Sequence, residues 1–193
     1  VINRYDFDSC RSLRSVQLPA NLQTINDHGF SGCTNLFSLE LPATLTTINA
    51  SAFDGCTRLT KVTPFLPSSV TTVGGSAFLN VPVAQALDLS SVTNLGTYAF
   101  RQGAMTSVVF SANLTVIDTY AFYSCTGLRS VQLPANLETL GSSAFAYCSA
   151  LSNVTPFLPD SVRAIVNIPF NSCTSLTNDL RLMNTNLTVI PQQ

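Results

Sequence analysis

Eight of the twelve phenylalanines recur along the chain at steps of 22 to 25 residues. They are Phe7, Phe30, Phe53, Phe78, Phe100, Phe122, Phe145 and Phe170. A period of about 23 residues is typical of a solenoid, in which each unit packs only against its neighbours. The period therefore predicts about eight stacked repeats, and it directs the search for function to an exposed face rather than to a central pocket.

Each repeat follows the pattern F-x-x-C-x-x-L-x-x-V-x-L-P-x-x-L-x-x-I, as in residues 7–25. The spacing of Leu13, Val16 and Leu18 places apolar side chains on one face of a strand. A proline such as Pro19 follows, and because it has no amide hydrogen to donate it ends the strand. The last aliphatic residue always stands five residues before the next phenylalanine, which predicts a tightly packed corner.

One such strand cannot bury its apolar side alone, so we expect the strands to stack about 4.8 Å apart into a parallel sheet. Only five or six residues separate each phenylalanine from the next leucine. This length predicts turns or short helical or 3₁₀ segments around Ala-Phe pairs such as Ala52 and Phe53. We expect residues 1–193 to form a single domain. Both ends stop inside a repeat without a polar cap, which predicts a fragment of a longer array, monomeric or weakly associated end to end.

The repeat resembles the BspA-like, or treponemal-type, leucine-rich repeats. Residues 131–148 carry the resemblance, because they read V-Q-L-P-A-N-L-E-T-L-G-S-S-A-F-A-Y-C against a family rule of V-x-L-P-x-x-L-x-x-I-G-x-x-A-F-x-x-C. The resemblance implies a β-rich solenoid, a right-handed leucine-rich-repeat superhelix with the parallel sheet on its concave face. It also implies an extracellular or cell-surface location, since members are typically secreted or surface-displayed and many resemble adhesins.

The low charge of the chain argues against several classes of partner. Only 10% of residues are charged and the net charge is −1, so we expect no nucleic-acid partner. No apolar run approaches the length of a membrane span, which predicts no membrane insertion. Together with the resemblance, these features leave an extracellular or host protein as the expected partner, with a glycan as the alternative.

The six cysteines all stand three residues after a repeat phenylalanine. They are Cys10, Cys33, Cys56, Cys125, Cys148 and Cys173. Cys56 and Cys125 are three repeats apart, about 14 Å at the strand spacing, which is too far for a disulfide. The six cysteines form two groups of three successive repeats, separated by two repeats without cysteine. Three cysteines cannot all pair within one group, so we expect small buried thiols that pack on one another.

The sequence contains no arrangement typical of an enzyme or a metal site. It has no C-x-x-C pair and only one histidine, His28, so we expect no metal and no cofactor. A nucleophilic pair of Cys33 and His28 would need an exposed thiol, whereas Cys33 occupies a core position. We therefore expect no catalytic residues.

The outward strand positions are the candidate binding surface. Most are small and polar, so a plain solvated sheet is the alternative interpretation. Solenoids use such extended faces to bind partners. Here positive and negative charges alternate along the face, and two residues, Phe37 and Val109, are apolar exceptions. The candidate binding residues are Arg14, Gln17, Phe37, Glu40, Lys61, Asp88, Val109, Arg129 and Gln132.

Two repeats carry a longer V-T-P-F-L-P segment, at residues 62–67 and 154–159. Phe65 and Phe157 in these segments either fold back as extra core residues or protrude as paired anchors for a partner. The sequence thus predicts a non-enzymatic interaction module that mediates adhesion to host proteins or other cells. The alternative is a structural spacer or self-associating scaffold that presents another domain.

Overall fold

The computed structural model describes residues 1–83, 86–156, 158–177 and 188–190. In these residues the chain winds into a parallel β-solenoid that contains strands and turns but no helix. The strands, in chain order, are β1 (Ser15–Val16), β2 (Thr24–Ile25), β3 (Ser38–Leu39), β4 (Thr47–Ile48), β5 (Lys61–Val62), β6 (Thr72–Val73), β7 (Leu87–Leu89), β8 (Asn94–Leu95), β9 (Ser107–Phe110), β10 (Val116–Ile117), β11 (Ser130–Gln132), β12 (Thr139–Leu140), β13 (Asn153–Thr155), β14 (Ala164–Val166) and β15 (Thr188–Ile190). The predicted β-solenoid with parallel strands is confirmed.

The V-x-L segments form the front ladder, which consists of β1-β3-β5 and β7-β9-β11-β13. Equivalent residues of successive repeats pair, so that Ser15 lies beside Ser38 and Ser38 beside Lys61. Every pair is parallel, because the chain makes one full turn of the solenoid between neighbouring strands. In β9 the burial alternates along the strand, with Val108 and Phe110 inside and Val109 outside.

A second ladder, the side ladder, was not predicted. It consists of β2-β4-β6-β8 and β10-β12-β14-β15, and it is formed by the short segments that precede each corner. In β2 and β4 the inner residues, Ile25 and Ile48, are fully buried, while the preceding threonines are partly exposed. Two residues are too few to show a strand period, so the sequence pattern indicated only a corner here.

The eight repeat phenylalanines form one continuous stack through the core. Neighbouring rings are stacked, with centroids between 4.9 Å for Phe7 and Phe30 and 5.6 Å for Phe100 and Phe122. The six inner rings are fully buried. The regular interval in the sequence therefore arises because each repeat adds one ring to the stack, in packing contact with the ring before it.

The corners that carry these rings are stacked turns, so the expected helical segments are not formed there. The amide of Phe30 donates to the carbonyl of Ala52 in the next repeat, at 2.8 Å, instead of to a residue in its own segment. Around Phe53, Ser51 and Gly55 have φ values of 52° and 71°. Residues in this left-handed region interrupt a right-handed helix, and bonds between repeats replace the bonds within it.

Among the described residues, no pairing joins β5 to β7, and the first V-T-P-F-L-P segment continues from β5 at this point. Phe65 is half-buried, and its ring centroid lies 5.1 Å from that of Phe78 and 6.5 Å from that of Phe100. This packing against the phenylalanine stack favours the interpretation of Phe65 as an extra core residue, and its role as an anchor for a partner stays a prediction. Phe157, its proposed pair, lies outside the described residues.

Candidate functional site

The cysteines that follow the repeat phenylalanines, which we call the cysteine column, have a structural rather than a reactive role. Five of the six thiols are buried and all six are free. The Cys33 thiol donates to the Phe7 carbonyl at 3.0 Å, and burial raises its pKa to about 11. Burial likewise raises the pKa of Cys56 to about 12, so both stay protonated near neutral pH and lack the thiolate that a nucleophile needs.

Cys10 departs from the expected column of buried thiols because its side chain is exposed. The other candidate for thiol chemistry, the pair of Cys33 and His28, is not formed. The His28 ring stacks on Tyr5 with centroids 4.9 Å apart, whereas the Cys33 thiol points to a backbone carbonyl. The His28 imidazole is therefore not the hydrogen-bond partner of the Cys33 thiol.

In the part of the chain that the structure describes, no group of three or more His, Cys, Asp and Glu side chains is placed to hold a metal ion. The same residues include no helix that is long and apolar enough to cross a membrane.

All nine predicted binding residues are exposed and lie on or beside the strands of the front ladder. The lack of a described pairing between β5 and β7 divides them into two groups. The first group lies on β1-β3-β5 and its immediate flanks, and contains Arg14, Gln17, Phe37, Glu40 and Lys61. The second lies on β7-β9-β11 and its flanks, and contains Asp88, Val109, Arg129 and Gln132.

A wide groove of about 860 Å³ lies over β1, β3 and β5, and Gln17, Glu40 and Lys61 of the first group line it. Gln17, Glu40, Lys61 and Thr63 contribute its polar lining, and Leu18 is among its apolar residues. Small side chains at the centre of the strands leave the groove open, so that its shape suits an extended ligand. Its volume is in the range of roughly 300–1,000 Å³ that binding sites occupy.

A second groove of about 440 Å³, which we call the cation groove, adjoins the wide groove on the side where the strands begin. Its lining residues are Arg14, Ser15, Asn35, Phe37, Ser38 and Arg58. The Lys61 ammonium lies over the Phe37 ring, 5.0 Å from its centroid. This cation–π contact holds a third positive charge beside the two arginines.

Asn35 and Arg58 were not among the predicted binding residues, because they stand one position before the strand pattern begins. The Arg58 Nη1 donates to the Asn35 Oδ1 at 3.0 Å, and the Asn35 Nδ2 donates to the Arg11 carbonyl at 2.7 Å. These bonds fix Arg58 beside the earlier repeats. The signal that could have found it is the 23-residue spacing of Ser12, Asn35 and Arg58.

The second group follows the strands of the ladder, and Asp88 also lines a small pocket of about 60 Å³ beside Pro67 and Ser91. Asp88 pairs with Val109 in the ladder, and Val109 pairs with Gln132. The Asp88 Oδ1 accepts a bond from the Ser90 amide at 2.9 Å, which commits this carboxylate to its own turn. Val109, 54% exposed, is the apolar member of the group. The structure does not bring these residues to the grooves of the first group.

An aromatic cluster on the turn side was also missed. Tyr98 stacks on Tyr120 with centroids 4.9 Å apart, and Tyr123 contacts both Tyr120 and Tyr147. The Arg101 guanidinium lies 5.6 Å from the Tyr98 ring centroid and 5.1 Å from that of Tyr123. The sequence signal was the position of Tyr98 and Tyr120, each two residues before a repeat phenylalanine.

Solved structures of bacterial proteins share this architecture. A leucine-rich repeat protein of Bacteroides ovatus superimposes with a TM-score of 0.75 at 24% identity, over 84% of this chain and 42% of that one. The T. pallidum leucine-rich repeat protein gives 0.61 at 28% identity, over 91% and 70%. A leucine-rich cell surface protein of Faecalibacterium prausnitzii gives 0.59 at 21% identity, over 95% and 61%.

The first and third of these likenesses show the fold alone, and this chain spans less than two thirds of both proteins. None of the curated proteins compared with the chain matches it. A family model for the BspA-type leucine-rich repeat region matches residues 1–104 and 93–193, with six copies of the repeat. The two matches together span the chain, which therefore belongs to the BspA-type leucine-rich repeat family.

Proposed function

We propose that this chain is a non-enzymatic interaction module of a secreted or cell-surface protein, and that it mediates adhesion to a host protein or to another cell. The family's fold is typically a protein-interaction fold, and one structural neighbour is a cell surface protein by its description. The partner is an extracellular or host protein, and it binds on the front ladder.

The observation that carries this proposal is the pair of adjoining grooves over β1-β3-β5. They combine an exposed aromatic ring, Phe37, with cationic, anionic and amide side chains. Apolar anchors within a polar rim are typical of protein–protein interfaces. The spacer alternative is supported by a different feature, the continuous phenylalanine stack, which spaces the repeats regularly along the solenoid.

The test is a binding screen of the purified protein against extracellular-matrix proteins, mucins and glycans on an array. A double variant, Gln17→Trp with Ala43→Trp, fills the wide groove with bulky side chains and leaves its charges and the core unchanged. We expect a protein ligand to bind the parent chain and to be lost from this variant. The control is Val116→Lys, an exposed position on the side ladder, which should bind as the parent does.

The outcomes separate the alternatives. A ligand that is lost equally in the Val116→Lys control does not use the front ladder, which would refute the proposed surface. Binding of glycans but not proteins would change the class of partner. No ligand at all from a folded monomer would favour the spacer, and concentration-dependent association in light scattering would favour the scaffold.

A further inference from the structure

The cation groove and its border concentrate positive charge that no ion pair between described residues neutralises locally. Arg14 and Arg58 line it, and Lys61 lies over the Phe37 ring on its border. Arg14 belongs to the first repeat and Lys61 to the third. At the spacing of stacked strands, their charges therefore lie about 10 Å apart. The chain as a whole has a net charge of −1, so this concentration is local.

None of these three cations forms an ion pair with a described carboxylate. Glu40 and Lys61 both line the wide groove, yet the Lys61 ammonium lies on the Phe37 ring rather than on the Glu40 carboxylate. Arg58 uses one amino group on the Asn35 amide oxygen, and that bond leaves its positive charge without a counter-charge. Arg58 and Lys61 are thus held by a hydrogen bond and a ring contact without an anion, and such cations are preorganised for an anionic ligand.

We propose that the cation groove binds an acidic segment of a protein partner. Carboxylates of the segment contact the Arg14 and Arg58 guanidiniums, whose planar donors match a carboxylate with two parallel bonds. An apolar side chain of the same segment packs against Phe37, which is 41% exposed. This inference rests on the proposed function, since it assigns chemistry to the partner of the front ladder.

A protein segment fits the groove better than a polymeric anion does. A nucleic acid or sulfated polysaccharide carries charge along its whole length, and it would extend past Lys61 onto Glu40 in the wide groove. One carboxylate there repels such a polymer, whereas a peptide can place carboxylates at Arg14 and Arg58 and other groups elsewhere. The hydroxyls of Ser15 and Ser38 on the floor of the cation groove suit the backbone amides of an extended peptide.

The experiment measures fluorescence anisotropy of a labelled peptide in which Glu and Leu alternate. The matched peptide has Gln in place of every Glu. We expect the acidic peptide to bind, the Gln peptide to bind much more weakly, and the affinity to fall as salt is raised. Arg14→Gln and Arg58→Gln should each weaken binding roughly fivefold, as expected for a partly exposed ion pair.

Arg163→Gln is the matched control, because Arg163 is an exposed arginine that directly precedes β14 of the side ladder and lines neither groove. This variant should bind the peptide as the parent does. Equal weakening by Arg163→Gln, or equal binding of the Gln peptide, would overturn the inference. Heparin binding that depends on Arg14 and Arg58, without peptide binding, would overturn it in favour of a polysaccharide.

The same variants separate this inference from the proposed function. A protein ligand on the array that is lost in the wide-groove variant but unaffected by Arg14→Gln and Arg58→Gln would leave the interaction module intact and refute the acidic segment. Peptide binding that follows the expected pattern, with no protein ligand on the array, would support the chemistry of the cation groove and count against adhesion to the proteins on that array.

Discussion

Residues 13–22 and residues 128–137 have the same sequence, L-R-S-V-Q-L-P-A-N-L, but their side chains are packed differently. In the later copy Leu128, Val131 and Leu133 are at most 2% exposed. In the earlier copy the equivalent Leu13, Val16 and Leu18 are only partly buried. Strand β11 pairs on both sides, with β9 and β13, whereas β1 pairs only with β3 in the described residues. The neighbouring repeats, and not the repeat itself, decide how much apolar surface is buried.

The polar residues of the two copies differ in the same way. Arg14 borders Phe37 of the next repeat, and Arg58 lines the same groove from two repeats away. Arg129 lies between Thr106 and Ser152, with which its backbone is hydrogen-bonded. One arginine therefore stands in a cationic, partly aromatic groove and the other on a neutral polar surface. Two segments of identical sequence in a solenoid can therefore differ in what they bind.

The largest contrast between the two regions is expected at the thiols that precede the copies. Cys10 is exposed, whereas Cys125 is buried and donates to the Phe100 carbonyl at 3.2 Å. Cys125 can react only when its repeat opens, and an opening free energy of about 5 kcal/mol slows labelling more than a thousandfold. Labelling with a thiol reagent, followed by peptide mass spectrometry, should find Cys10 modified first by that margin.

Unfolding in urea provides the control for this measurement, because the two thiols should then be labelled at comparable rates. Labelling of native Cys125 as fast as that of Cys10 would mean that packing around the phenylalanine stack does not protect the later repeats. It would contradict the contrast in packing between the two copies.

The repeat architecture could be predicted because it depends on residues with a fixed spacing. Phe30 and its equivalents give the period, and Val131 and Leu133 give the strand. The side ladder could not be predicted in this way, because a segment such as Thr24–Ile25 is too short to show alternation. The helical segments expected at the corners are absent since their amides bond to the next repeat, and no pattern within one repeat reports such bonds.

The candidate site was predictable only in part, for a related reason. The outward positions of the front ladder follow from strand alternation, so Arg14, Phe37 and Lys61 were found. The cation groove depends on contacts between repeats, and the sequence pattern did not single out Arg58 or Asn35. The position of Phe65 depended on whether the phenylalanine stack had room for another ring, which a repeat pattern does not indicate.

The next largest difference is expected in the unfolding free energies of two separate variants, each with the equivalent leucine of one copy replaced by alanine. Leu128→Ala removes a fully buried side chain and should lower the free energy of unfolding by about 2–5 kcal/mol. Leu13→Ala removes a partly buried side chain and should cost about 1 kcal/mol. Urea denaturation followed by circular dichroism measures both. Equal losses in the two variants would contradict the view that neighbouring repeats determine the contribution.

The buried thiols should also make the stability fall at alkaline pH. Burial raises the pKa of Cys56 from its ordinary value of 9.0 to about 12. The folded pKa lies above the unfolded one, so this contribution is complete below pH 9 and is lost as the pH rises toward 12. At pH 10 the loss for such a thiol is about 1.4 kcal/mol of unfolding free energy. Urea denaturation at a series of pH values measures it.

A natural replacement within the chain supplies the control for the alkaline effect. Val81 occupies the cysteine position of its own repeat and is fully buried there. Cys56→Val should therefore fold, and its stability should fall less between pH 9 and pH 11 than that of the parent chain. An identical pH profile in parent and variant would show that the Cys56 thiol does not cause the alkaline loss.

The smallest expected effect is on stability when the two equivalent arginines are replaced. Arg14→Gln and Arg129→Gln should each change the free energy of unfolding by less than about 0.5 kcal/mol, because both side chains are exposed and neither pairs with a described carboxylate. Urea denaturation of both variants checks this. A loss above 1 kcal/mol for Arg14→Gln alone would mean that Arg14 supports the packing of the first repeats. Equal stability with unequal peptide binding would instead show that identical segments differ in binding because of the side chains that adjacent repeats place beside them.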